Sequence, residues 1–162
     1  MKENTNAAAT AAQENTSLAV LNNTQDLSKE FATTAAGTGS IIRTTTTTDD
    51  VVLFNAVNGS AESVEDYLDK EVVIKDIIVT SADVLTDIDA DPDTGERESK
   101  PVVHFFTNDD RHISSISNGI ARATKNLLSC GFIPTAERPF TIKFKTVKTK
   151  RGTAHSFDLI SK

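Results

Sequence analysis

The last 25 residues, RPFTIKFKTVKTKRGTAHSFDLISK from Arg138 to Lys162, constrain the fold more than any other stretch. Ile142, Phe144 and Thr146 alternate with Lys143, Lys145 and Val147, which predicts a strand with one apolar and one basic face. Lys150-Arg151-Gly152 supplies a turn, because glycine takes a positive φ without steric cost. Phe157 and Leu159 alternate with Ser156, Asp158 and Ile160 in a returning strand. Five cations (Lys143, Lys145, Lys148, Lys150 and Arg151) thus fall on one hairpin of a chain whose net charge is −6. Positive charge gathered in this way in an acidic protein points to a polyanion lying across the hairpin.

The overall charge hides a segregation. Residues 1–48 carry net −1, residues 49–98 net −12 and residues 99–162 net +7. A solvated surface with uneven charge accounts for this blandly; an acidic block that repels a ligand and a basic block that holds it accounts for it more sharply. At 162 residues the chain allows one domain with tails. With one cysteine, Cys130, an internal disulfide is impossible, and a reducing, cytoplasmic setting is expected. No apolar run approaches the roughly 18 residues of a membrane-spanning helix, and the N-terminus lacks the pattern of a secretory signal.

Residues 1–40 are rich in Ala, Thr and Asn and are expected to form a flexible or partly ordered tail, disordered over 1–16. Within it Leu18, Val20, Leu21, Leu27 and Phe31 offer a short helix or strand able to dock on a domain spanning 41–162. A strand is expected over 50–57, and a short helix over 60–68 with Ser60 as N-cap. The run EVVIKDIIVTSADVL, 71–85, reads as a long strand serving both sides of a closed sheet. The loop 86–98 carries alternating aspartates but fails the EF-hand spacing, with Pro92 or Thr94 where a glycine is required; a solvated loop turning at Asp93-Thr94-Gly95 is expected. Strand 101–107 and a helix over 112–129 follow, with Gly131 at its C-terminal cap and Cys130 as a small packing residue.

Five strands with a helix between the third and fourth make a mainly β fold, an OB-fold-like barrel that is partly open. Residues 69–161 resemble the small OB-fold single-stranded DNA-binding proteins of bacteriophages and related bacterial mobile elements. The resemblance lies in KEVVIKDII from Lys70, VVHFFTNDDRHISSIS from Val102, and the Pro139–Leu159 hairpin. It implies non-sequence-specific binding and protection of single-stranded DNA during replication, with replication proteins as further partners. Unlike better-known bacterial members, the sequence has no tryptophan and ends in Ile160-Ser161-Lys162 rather than an acidic tail, so docking of repair proteins through such a tail is not expected.

Sequence-tolerant binding requires cations for phosphates and aromatic faces for bases. The cations are Lys143, Lys145, Lys148, Lys150 and Arg151, with Arg111 beside them and Arg122 and Lys125 as lesser candidates. Lys143 and Lys145 stand about 6.6 Å apart along a strand, close to the spacing of successive phosphates. Phe105 and Phe106 point to opposite faces, leaving Phe106, with His104 on its face, as the stacking candidates; the competing reading packs the outer ring under a helix. No phosphate loop, nucleophile elbow or Cys/His cluster is present, so no enzyme, cofactor or metal site is expected. The alternative is a structural or protein-interaction module that uses its acidic loop.

Overall fold

The computed structural model describes residues 19–20, 29, 31–34, 41–45, 48–59 and 61–162. The expectations of disorder over 1–16 and of a cap at Ser60 lie outside them. The elements are β1 (Ala19–Val20), β2 (Ile42–Arg43), α1 (Asp50–Asn58), β3 (Glu62–Ser63), a 3₁₀ turn (Val64–Tyr67), β4 (Glu71–Leu85), β5 (Arg97–Thr107), β6 (His112–Ser115), α2 (Asn118–Ser129), β7 (Phe140–Thr149) and β8 (Gly152–Ser161).

Five strands, β4 to β8, build a curled antiparallel half-barrel of the expected OB-like kind, with α2 between the third and fourth. The count is as read from the sequence, but its membership is not. The segment 50–57 is a helix, because Asp49 caps it by accepting from the Val51 and Val52 amides and because Leu53 and Ala56, three apart, bury against Ile78 and Phe106. That burial outweighs the β-branched character of Val51 and Val52. Conversely, residues 112–115 are a strand paired with β5, and the helix begins only after Ser117. The expected helix at 60–68 is instead β3 and a 3₁₀ turn whose cap is Ser63.

β4 pairs with β2, β5 and β7. It does serve both sides of the sheet, though not by simple alternation. A register shift between Ile74 and Asp76 inserts one extra residue, so Val72 and Ile74 and then Ile77 and Val79 all face the main core. Ile78 faces the second, smaller core beneath α1. Asp76 is buried there, its Oδ1 accepting from Thr44 Oγ1 at 2.8 Å and from the Ile77 amide at 2.9 Å. Phe31 packs into the main core, and β1 pairs in parallel with β2.

β8 pairs with β7 alone, so the seam between β6 and β8 is unpaired. α2 closes against it. A Cβ on Gly119 would lie 2.2 Å from the His155 carbonyl oxygen, so only glycine permits this approach of helix to strand. Gly119→Ala should therefore lower the melting temperature, although helix propensity alone favours alanine by about 1 kcal/mol. A clash with backbone cannot be relieved by a rotamer change and costs roughly 1–3 kcal/mol. Thermal unfolding of the variant checks this; an unchanged or raised midpoint would show that α2 is free to move away.

Candidate nucleic-acid interface

The β7–β8 hairpin forms as its alternation requires. Register pairs Lys143 with Asp158, Phe144 with Phe157, Lys145 with Ser156 and Thr149 with Gly152, whose φ is +125°. Phe144 and Phe157 turn into the core, and Lys143 and Lys145 stand on the opposite face. By the same alternation Lys148 follows the Phe144 side, beyond the core, where it is exposed. Lys150 and Arg151 occupy the exposed turn. The basic group is therefore a wrap around the hairpin's tip and outer face rather than a single plane. Lys145 pairs with Asp158 at 2.5 Å, whereas Lys143, Lys148, Lys150 and Arg151 make no ion pair among the described residues.

Between the hairpin and α2 lies an open groove of about 460 Å³. α2 lines it with a stripe at helical spacing, Gly119, Arg122, Ala123, Asn126, Leu127 and Cys130, and the hairpin contributes Lys145, Val147, Ala154, His155 and Phe157. Cys130 is exposed here, not packed as expected, because Gly131 (φ 79°) ends the helix at the surface.

The other candidates lie elsewhere. Phe106 is 2 % exposed, enclosed with Leu53 and Ala56 of α1 and stacked on His112 with centroids 5.1 Å apart. His104 is 6 % exposed; its Nε2 lies 2.9 Å from Thr80 Oγ1 and its Nδ1 2.8 Å from His112 Nε2. Neither offers a ring face to a base, which corrects their assignment as stacking residues. The helix that covers Phe106 is the one read as a strand. Arg111 is a tie rather than a free cation: Nη1 donates to Tyr67 Oη at 3.0 Å and lies 3.7 Å from Glu62, and Nε lies 3.0 Å from Asp109. These contacts raise its pKa, the Tyr67 bond most of all, and the Tyr67 hydroxyl also donates to Glu62.

The acidic loop holds itself together. Asp87 and Asp91 carboxylates accept from the Asp89 and Asp93 amides, and Arg97 donates to the Pro92 carbonyl at 2.8 Å. Among the described residues, no ion pair joins this loop to the basic hairpin.

A family model, that of the phage single-stranded DNA-binding protein of Phi29 type, matches residues 28–159. The chain belongs to that family. No curated protein and no solved structure matches it. The phage single-stranded DNA-binding family is one of binding proteins, not enzymes, which fits the sparse chemistry of the chain. In this family member no helix among the described residues is long and apolar enough to cross a membrane. Arg122 and the α2 stripe were only faintly legible in the sequence. Their spacing marks a helix face, but nothing in it says that the face borders the hairpin.

Proposed function

We propose that this protein coats single-stranded DNA without sequence preference and protects it during replication of phage or mobile-element DNA inside the bacterial host cell. The observation that carries the proposal is the largely unpaired cation set of the β7–β8 hairpin, with Lys148, Lys150 and Arg151 exposed and Lys143 and Lys145 partly exposed, on a member of a single-strand-binding family. Lys143, Lys145, Lys148, Lys150 and Arg151 track phosphates, which carry no sequence information. That no ion pair joins the hairpin to the 86–98 loop among the described residues supports this reading over an interaction module built on the loop, since the cations stay available to a ligand. Replication proteins are its natural protein partners.

The test is fluorescence anisotropy of labelled oligo-dT at low and moderate salt, with duplex DNA as competitor. Tight, salt-sensitive binding that duplex does not displace is expected; no binding at micromolar protein and low salt would sink the proposal. Replacing Lys143 and Lys145 together by alanine should weaken binding to all sequences alike. It should also flatten the log–log salt slope by about 1.4, at roughly 0.7 per single-strand phosphate contact. An unchanged slope would remove these two residues from the interface.

A further inference from the structure

The groove between α2 and the hairpin is larger and more apolar than phosphate contacts need. Ala123, Phe132, Val147 and Leu159 give it accessible apolar walls, while Arg122 on the helix side and Lys145 on the hairpin side place a cation at each. Arg122 is exposed and has no ion-pair partner among the described residues. Asp158 is the one carboxylate lining the groove, and Lys145 already engages it. The stripe from Gly119 to Cys130 runs about 16 Å along the helix at 1.5 Å per residue, long enough for several ring-sized groups in a row.

We propose that this groove is a base-binding site, in which unpaired nucleobases of single-stranded DNA lie against Ala123, Phe132, Val147 and Leu159 while their phosphates pass between Arg122 and Lys145. The inference rests on the single-strand reading above and adds a path to it. Apolar walls favour the ring faces, which every base possesses, so the site is sequence-tolerant. Asn126 and His155 supply polar atoms for base edges. Paired bases are stacked on both faces and cannot enter, so the groove also gives a physical reason for preferring single strands to duplex. An acidic peptide would leave the apolar side chains uncompensated and a purely apolar peptide would leave the cations; a strand of DNA complements both.

Cys130 is the chain's single cysteine and lines the groove, so the full-length protein carries its own probe. The experiment follows alkylation of Cys130 by iodoacetamide, a neutral reagent, with and without saturating oligo-dT, with anisotropy in the same samples reporting whether the oligonucleotide is bound. Bound oligo-dT is expected to slow alkylation roughly tenfold, and duplex to leave it unchanged. Arg122→Glu is expected to weaken oligo-dT binding about tenfold and to lower the salt slope by about 0.7. Bound oligo-dT with Cys130 still reacting at its free rate overturns the base path and leaves single-strand binding intact. Unchanged affinity of Arg122→Glu overturns it likewise, and absence of any binding overturns both readings.

Discussion

Replacing Phe144 by alanine is expected to cost about 3–5 kcal/mol, a large part of the 5–15 kcal/mol that holds a typical domain folded. Its ring is 0 % exposed and meets Phe105 edge-on at 5.4 Å and Phe157 at 6.3 Å between centroids. Such pairs are worth about 0.5–1.5 kcal/mol each beyond the apolar area they bury. Collapse around the hole is resisted, because the backbone at this point is fixed on both edges. Asp69 donates its amide to the Phe144 carbonyl at 2.9 Å on one side, and β8 pairs on the other. Urea unfolding measures the loss. A change below about 1.5 kcal/mol, the range of volume-conserving swaps, would mean that the three rings repack freely. Below its unfolding midpoint the variant should still bind oligo-dT, since Lys143 and Lys145 project from the other face of the same strand.

The second large effect is acid lability centred on His104. Burial, and then the charge of His112, push its pKa down from 6.5 to about 4. The fold therefore holds the neutral imidazole, whereas the unfolded chain accepts a proton near 6.5. Stability is complete above that value and falls as pH drops from 6.5 toward 4, by at most about 3 kcal/mol over the window. His112 moves in the same direction through burial, with Glu62 opposing. Asp109, held low chiefly by the Thr107 hydroxyl, contributes stability that is lost only below the ordinary carboxylate range, outside this window. Urea midpoints at pH 7.5, 6 and 5 should decline for the natural sequence. They should decline less for His104→Gln, which has no proton to gain; equal slopes would exclude His104 as the cause.

The terminal hairpin was legible because its alternation, turn glycine and charge placement all depend on neighbours within a few residues. The strands at 71–85 and 101–107 and the mainly β fold were legible too; the readings failed where distant contacts decide. Residues 50–57 look strand-like until Ile78 and Phe106 provide a surface for Leu53 and Ala56. Residues 112–115 continue a helical spacing but have β5 beside them. The extra residue near Lys75 inverts which side chains of β4 face inward, and no local pattern announces it. The same limit governs the interface. The basic cluster stood out because its five cations fall within nine residues of the chain, and Phe106 and His104 were misassigned because their burial comes from α1 and from His112.

β4 has a further consequence. β2, β5 and β7 all hydrogen-bond to it, and β1, β6 and β8 hang on those three. Without β4 the sheet falls into separate pieces, β1 with β2, β3 with β6 and β5, and β7 with β8, so opening at Ile74–Val79 amounts to unfolding the whole barrel. The tips of the two long hairpins can instead fray independently. The molecule thus joins a centre that opens all at once to two arms that yield singly, and the arm bearing the lysines can move without loosening the centre.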